Sequence, residues 1–176
     1  HDHRALGGWE GAGSTAEGYL LGLLIGDGTL KQDLAVLSVW APELKLVGNG
    51  EAVAWDATGA AGIVAAAEAA AATLDHRCDF RGFHRIAGRG EARLNSAAIG
   101  RLARSFGLAP GAKTITPQIE RGSSAFIQGL LRGLFDADGS VQGSQAKGVS
   151  VRLTQSDPAL LEAVQRMLLR FGIAAT

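Results

Sequence analysis

Two aspartates, Asp27 and Asp138, stand in matching contexts far apart in the chain and are the residues best suited to chemistry. Residues 18–30 read GYLLGLLIGDGTL, and residues 129–141 read GLLRGLFDADGSV. Each segment is an apolar run that closes in an acid, a glycine, a small hydroxyl residue and an apolar residue. An internal repeat of this kind predicts two related units of about a hundred residues.

The two acids are expected to lie side by side at the C-terminal ends of two helices, which is an unfavourable place for carboxylates. The helix dipole is negative at that end, and two neighbouring carboxylates repel each other. A divalent cation removes both penalties, because Mg²⁺ prefers hard oxygen ligands. A core helix that ends in a capping aspartate would explain one motif, but not two in matching contexts. The pattern therefore predicts a divalent metal site that Asp27 and Asp138 form together.

Glycines repeat every four residues along both predicted helices. Gly18 and Gly22 precede the first acid, and Gly129 and Gly133 precede the second. A glycine inside a helix costs about 1 kcal/mol relative to alanine, so repeated glycines need a packing reason. Residues four apart share a helix face, and a face without side chains permits close backbone contact. We expect the two helices to pack against each other through these glycines, related by a pseudo-twofold axis.

The elements that position the acids can be predicted from periodicity, turn residues and helix caps. The first unit is predicted to run helix, two strands, helix, two strands and helix. The ranges are about 16–26, 29–33, 35–40, 60–74, 78–86, 90–94 and 95–106. A connector follows over 107–121, and the second unit then has a helix over 123–136, two strands and a helix over 157–171. In this chain the second unit is expected to stop before its second pair of strands.

The composition is that of a globular protein whose charges are segregated. The 176 residues are 47% apolar and 19% charged, which is enough to bury a core and argues against disorder. No apolar run could span a bilayer, and the single cysteine excludes an internal disulfide and a multi-cysteine zinc cluster. Basic and acidic residues balance at 17 each, but seven arginines lie between Arg77 and Arg104 against two acids. Such a stretch suits nucleic-acid phosphates, although an ordinary solvated face shows the same pattern.

The two acidic segments resemble the paired dodecapeptide motifs of LAGLIDADG homing endonucleases, particularly the endonuclease domains found inside inteins. The second unit gives LRGLFDADG, and the first gives the looser LLGLLIGDG, with Ile25 where the motif has its first acid. The segment Lys113-Thr114-Ile115-Thr116-Pro117 resembles the lysine-containing block before the second motif, and residues 160–173 resemble the terminal block. The resemblance covers about residues 16–173, and the run of residues is most similar to inteins inserted in ribonucleotide reductases.

The resemblance implies an α+β fold of two αββαββα repeats related by a pseudo-twofold axis, whose sheets form a saddle over DNA. The second repeat would be C-terminally truncated in this chain. Residues 1–15 would be an N-terminal tail that could be a remnant of an intein splicing domain. The first LAGLIDADG repeat would cover 16–108, a linker 109–121, and the second, incomplete repeat 122–176.

The resemblance also implies an activity, which is metal-dependent hydrolysis of phosphodiesters on both strands of a long, specific duplex site. Asp27 and Asp138 would hold Mg²⁺ at the scissile phosphates. The backbone carbonyls of Gly26 and Ala137 would be lesser ligands of the metal. Lys113 would be a catalytic cation at the periphery that supports a water molecule or a phosphate.

Recognition of DNA is expected on the strands, because arginine reads guanine in the major groove and also clamps phosphates. Arg81 and Arg85 are predicted to share one face of the third strand, although the sequence cannot decide between the two roles. Gln142 and Gln155 are also candidates for a polar residue near the metal. The full set of predicted DNA-binding residues is Arg81, Arg85, Arg89, Arg93, Gln142, Gln145, Lys147, Arg152 and Gln155.

The partners implied are duplex DNA and no membrane, for a monomer with internal pseudo-symmetry that was originally embedded in an intein host protein. A prokaryotic cytoplasm, with a substrate in the nucleoid, is the expected location. The alternative is a LAGLIDADG module that binds DNA or RNA with impaired catalysis, as a degenerate intein domain or a maturase-like protein. The two acids favour the nuclease, and the incomplete second repeat favours the binding module. A third interpretation is a generic α+β domain in which the repeat is due to chance.

Overall fold

A computed structural model describes residues 9–40, 59–87, 89–144 and 148–176. Six helices are assigned in this part of the chain, α1 Thr15–Ile25, α2 Gly59–Ala71, α3 Ala97–Ser105, α4 Pro117–Glu120, α5 Ser124–Asp138 and α6 Pro158–Leu169. The six strands are β1 Thr29–Leu30, β2 Ala35–Trp40, β3 Phe83–Ile86, β4 Glu91–Ser96, β5 Gly139–Ser144 and β6 Gly148–Leu153. None of the helices in the described ranges combines the length and the apolar character needed to cross a membrane.

Helix α1 is the central element of the core. Ser14 caps its first turn and forms a capping box with Glu17, so two free N–H groups gain partners. From Gly18 to Ile25 every residue is buried, which is expected of a helix that is apolar on all sides. The helix ends at Gly26, whose N–H still donates to the carbonyl of Gly22 at 3.1 Å. The chain can therefore place Asp27 directly after a rigid, fully packed helix.

The first unit has a four-stranded antiparallel sheet in the order β1-β2-β4-β3. Leu37 of β2 and Leu94 of β4 are direct partners, and both are fully buried in the core that the helices cover. Ser38 and Arg93 are the neighbouring pair and so belong to the opposite face, because side chains alternate along a strand. The sheet thus has one apolar face against the helices. No helix covers the other face within the described part of the chain, and we call this second face, which includes Ser38 and Arg93, the open face.

In the second unit, the described residues form one hairpin of β5 and β6. Val141 and Val151 are direct partners, and their exposed fractions are 71% and 65%. Val149 lies on the same face of the hairpin and is 60% exposed. In the first sheet, by contrast, the apolar side chains that face the helices are buried. The apolar strand face is therefore covered in the first unit and exposed in the described part of the second.

Several predicted boundaries are wrong, among them the end of β1, which is Leu30 instead of residue 33. The third strand starts at Phe83 instead of residue 78, because Gly82 has a φ of +68° and the Phe83 N–H donates to the carboxylate of Glu68. Helix α2 ends at Ala71, three residues earlier than predicted. The predicted connector contains α4, whose first turn is capped by Thr116 and opened by Pro117.

The predicted tail at residues 1–15 is described only from Trp9 onward, and its residues 1–8 lie outside the described part. Trp9 exchanges hydrogen bonds with Ser124, and the carbonyl of Ala12 accepts from the N–H of Ser123. The guanidinium of Arg170 lies 4.1 Å from the centroid of a Trp9 ring. These contacts attach residues 9–14 to the start of α5 and to α6.

Candidate active site

Helices α1 and α5 contact each other backbone to backbone at the four predicted glycines. A Cβ atom at Gly22 would lie 2.8 Å from the backbone nitrogen of Leu134, and one at Gly133 would lie 2.8 Å from that of Leu23. At Gly18 and Gly129 the corresponding distances, to the backbone nitrogens of the facing helix, are 2.9 Å. Real Cβ contacts do not reach such distances, so no larger residue fits without separating the helices. The glycines therefore fix how the two helix ends meet.

The two predicted acids come together at these ends. A Cβ atom at Gly26, the residue before Asp27, would lie 2.9 Å from the Oδ2 atom of Asp138 and 2.5 Å from the Cβ of Ala137. The carboxylate of Asp138 therefore lies against the end of α1. The structure brings Asp27 and Asp138 from opposite halves of the chain into one site.

The surroundings of the acids disfavour two negative charges. Desolvation raises the pKa of Asp27, and the nearby charge of Asp138 raises it further, while the ammonium of Lys113 acts in the opposite direction. Desolvation also raises the pKa of Asp138, against the lowering effects of a hydrogen bond from Gln155 and of the Lys113 charge. A cation between the two carboxylates would compensate for both shifts.

Lys113 lies beside the two acids and forms hydrogen bonds at the C-terminal end of α1. Its Nζ donates to the backbone carbonyls of Leu24 at 3.3 Å, Gly26 at 3.1 Å and Gly28. Burial lowers the pKa of Lys113, and the two carboxylates counteract that effect. The residue thus satisfies carbonyls that the helix leaves free and adds a positive charge beside both acids. The Gly26 carbonyl, predicted as a lesser metal ligand, is one of its acceptors.

Gln155 is the other side chain that holds an acid in place. It follows β6, and its Nε2 donates to Oδ2 of Asp138. Asp27 receives no such bond from a side chain in the described ranges. The two acids, equivalent in the sequence motifs, therefore have different neighbours.

The predicted DNA-binding arginines of the first unit do not form one row. Arg81 lies in the loop before β3, so the prediction that it shares a strand face with Arg85 is wrong. Arg85 pairs with Ala92, which is buried, and so lies on the helix side at the sheet's edge. Arg93 is on the open face, where its guanidinium donates to both oxygens of Glu91, at 2.5 and 3.0 Å. Arg89 is exposed in the turn between β3 and β4.

In the second unit, Gln142 and Arg152 share the polar face of the hairpin, opposite the valines. Their direct partners are Ser150 and Ser140 respectively, and all four residues are exposed. Gln145 and Lys147 lie outside the described residues.

The open face of the first sheet contains residues that the sequence analysis missed. His84 is the direct partner of Arg93, and Asn95 is the direct partner of Val36. With Ser38 they add hydrogen-bonding groups beside Arg93. The alternation of apolar and polar residues along β2 and β4 could have indicated which side chains face away from the core. The register between the strands was still needed to place these residues next to one another on one face.

The donor set fits a metal that keeps open coordination positions. Within the described ranges no three residues among His, Cys, Asp and Glu are grouped as a closed metal cage. Two carboxylates with raised pKa values and nearby backbone carbonyls suit Mg²⁺, which is bound by one or two carboxylates together with water and substrate phosphates. The residues present therefore fit the predicted divalent cation.

The comparisons with known proteins address this site and its fold. Residues 125–176, which include most of α5 with Asp138 and all of α6, match the family model described as LAGLIDADG-like domain. The C-terminal part of the chain is thus similar to a LAGLIDADG-like domain. The predicted resemblance is thereby confirmed, while the similarity to inteins of ribonucleotide reductases stays a prediction.

A solved structure extends the likeness to most of the chain. It is a crystal structure of a variant of the homing endonuclease I-DmoI in complex with its target DNA, nicked in the coding strand, in the presence of manganese. The match has a TM-score of 0.56 at 19% sequence identity and covers 92% of this chain and 79% of I-DmoI. The mixed α+β fold with antiparallel sheets therefore resembles the LAGLIDADG homing endonuclease fold, as predicted.

One curated relative matches over a shorter stretch. It is the DNA-directed RNA polymerase subunit Rpo1C of Methanocaldococcus jannaschii, which is 28% identical over 83 residues. That alignment covers 47% of this chain and 9% of the polymerase subunit, so the chain spans less than a tenth of this relative.

Proposed function

We propose that this protein is a site-specific DNA endonuclease that hydrolyses phosphodiesters on both strands of a duplex, with a divalent cation at Asp27 and Asp138. The observation that carries the proposal is the meeting of these two acids at the glycine-packed ends of α1 and α5. Mg²⁺ is the proposed cation. Each unit supplies one acid, so a single chain is sufficient for the site. The proposed location is a prokaryotic cytoplasm, where chromosomal DNA is the substrate.

The residues around the acids have separable roles in this proposal. Asp27 and Asp138 hold the cation, and Gln155 fixes the carboxylate of Asp138. Lys113 keeps the end of α1 closed and places a positive charge where phosphate oxygens approach. When bound, the cation lowers the pKa of its water and stabilises charge on the attacked phosphate.

The open face of the first sheet and the polar face of the β5–β6 hairpin are the proposed DNA surfaces. Both lie in chain segments that continue from the acids, since β1 and β5 begin within two residues of Asp27 and Asp138. The complex of I-DmoI with its target DNA is consistent with such a use of this fold.

A second candidate function is DNA binding without cleavage of both strands. Among the residues that the structure describes, it is favoured by the sheet of the second unit, in which two strands are seen where the sheet of the first unit has four.

The test combines a cleavage assay and a binding assay. Wild-type protein is incubated with Mg²⁺ and a supercoiled plasmid library that carries a randomised duplex insert, and nicked and linear products are separated and sequenced. We expect Asp27→Asn and Asp138→Asn each to abolish linear product, because each removes a charged ligand while keeping its shape. Binding to a recovered target should persist, since a negative charge near phosphate is removed.

The control is Asp33→Asn, an exposed aspartate in the turn between β1 and β2. It should cleave like wild type. Unchanged cleavage by Asp138→Asn would contradict the proposed site. A wild-type protein that binds a recovered duplex and leaves it intact would favour the second candidate.

A further inference from the structure

A cavity of about 360 Å³ lies beside the first sheet, and neither of the two acids lines it. Its walls come from the segment between α2 and β3, from the end of β4 and from the start of α3. Three arginines, Arg77, Arg81 and Arg101, line it together with His84 and Asn95. The predicted metal site and the motifs do not account for this concentration of guanidinium groups.

The three arginines differ in the hydrogen bonds and ion pairs that they form within the protein. Arg77 lies 3.7 Å from the carboxylate of Asp79, in a highly exposed ion pair. Arg101 donates to the backbone carbonyl of Asp75 at 3.0 Å. Arg81 forms neither an ion pair nor a hydrogen bond within the described part of the chain. Asp75 and Asp79 also line the cavity, so its three arginines outnumber its two aspartates and its net charge is positive. One of the three guanidinium groups, that of Arg81, has no partner in the described part of the chain.

A guanidinium in this state is suited to a phosphate. Its planar set of N–H donors matches phosphate oxygens in two parallel hydrogen bonds, and it stays charged at any ordinary pH. The exposed Arg77 pair is weak, so it can yield to a bound anion at little cost.

The position of the cavity relates it to the proposed cleavage site. Asn95 is the direct partner of Val36, and Val36 is the direct partner of Thr29, two residues after Asp27. Neighbouring strands are about 4.8 Å apart, so Asn95 is about 10 Å across the sheet from Thr29, at the same end as Asp27. His84 is the partner of Arg93 and lies on the open face. Since His84 and Asn95 of the open face both line the cavity, a duplex on that face with one phosphate at Asp27 would lie next to the cavity.

We infer that this cavity binds a backbone phosphate of the duplex next to the cleavage site, with Arg81 as the direct contact and Arg101 beside it. The inference rests on the proposed function, and it adds that Arg81 anchors DNA of any sequence instead of reading a base. The phosphate would lie in the cavity, in contact with Arg81 and between the three arginines that line it.

The experiment measures duplex binding as a function of salt in EDTA, where the proposed enzyme cannot cleave. The probes are two labelled duplexes of equal length and unrelated sequence. Arg81→Ala should weaken binding to both roughly tenfold near 0.1 M salt and reduce the salt slope by about one. Arg81→Lys should restore most of the slope, because it returns the charge. The matched control, Arg121→Ala, removes an exposed arginine at the far end of α5 from Asp138 and should change neither value.

The outcomes separate this inference from the proposed function. If wild type binds neither duplex even at low salt, the proposed function fails as well. If wild type binds and Arg81→Ala behaves like Arg121→Ala, the cavity is not a phosphate site and the nuclease proposal stands. If Arg81→Ala weakens binding to one sequence only, Arg81 reads a base and the inference is wrong. Thermal unfolding of each variant serves as the check that the fold is intact.

Discussion

At the scale of single residues, the two acids show that equal motif letters need not give equal chemical surroundings. Asp138 accepts a hydrogen bond from Gln155, whereas Asp27 has no comparable side-chain donor in the described ranges. A residue that orients a metal ligand typically changes metal affinity about 10- to 100-fold when it is removed. The two halves of the site should therefore respond differently to loss of their neighbours.

We predict that Gln155→Ala raises the Mg²⁺ concentration needed for cleavage by about 10- to 100-fold. The hydrogen bond from Gln155 lowers the pKa of Asp138, so its loss makes the ionised form less favourable. A Mg²⁺ titration of plasmid cleavage measures the effect, and nicked plasmid should accumulate because Asp27 is untouched. Gln128→Ala, at an exposed position on α5, is the control. An unshifted titration for Gln155→Ala would show that Gln155 does not support the metal site.

Glu91 gives a prediction about pH. The Arg93 guanidinium holds the pKa of this buried carboxyl below its usual value of 4.5, and desolvation only partly offsets that effect. The folded protein thus favours the ionised form, and this contribution to stability is present above pH 4.5 and is lost as pH falls through the lower pKa of the folded state. Glu91→Gln should lower the unfolding midpoint at neutral pH and show a weaker loss of stability in acid.

Thermal unfolding followed by circular dichroism from neutral pH to below pH 4.5 tests this. Glu162→Gln, at an exposed position on α6, should retain the pH dependence of the wild type. Parallel curves for wild type and Glu91→Gln would mean that the Glu91–Arg93 pair does not contribute.

At the scale of elements, the helix pair was the most predictable part of the fold. Glycine is costly in a helix, so two stripes of it are a strong signal for close packing, and they placed both acids correctly at helix ends. The start of β3 was not predictable, since residues 78–82 bend toward α2 through Gly82 and the stacked rings of His76 and Phe80. The hydrogen bond from Gln155 to Asp138 depends on the path of the β5–β6 hairpin, and the spacing of the motifs gives no information about that path.

We predict opposite effects for two glycine substitutions in helices. Gly133→Ala places a methyl group against the backbone of α1, where a Cβ would lie 3.0 Å from the Cα of Gly22. Overpacking of this kind costs roughly 1–3 kcal/mol of unfolding free energy. Gly62→Ala, in α2, meets nothing within 4 Å and should stabilise the protein by about 0.5–1 kcal/mol. Urea unfolding of both variants measures the difference, and equal midpoints would mean that the α1–α5 contact is loose.

At the scale of the whole molecule, the two units share a motif and a site but differ in their sheets. In the first, helices α1–α3 cover the apolar side of four strands. In the second, the hairpin presents Val141, Val149 and Val151 to solvent. A two-stranded sheet is marginally stable by itself, and exposed apolar strands next to a free edge favour pairing with other chains. Within the described residues, the first half of the site is therefore packed more tightly than the second.

The double variant Val141→Thr and Val151→Thr should reduce self-association of the protein at high concentration. Threonine has nearly the strand propensity of valine, so the hairpin keeps its conformation while its apolar face shrinks. Because both valines are exposed, the unfolding free energy should stay within about 0.5 kcal/mol of wild type. Sedimentation velocity over a concentration series measures the association, with Leu169→Gln as the control, an exposed apolar residue on α6. If the control reduces association as much as the double variant does, general surface hydrophobicity is responsible, and the open hairpin is not the associating surface.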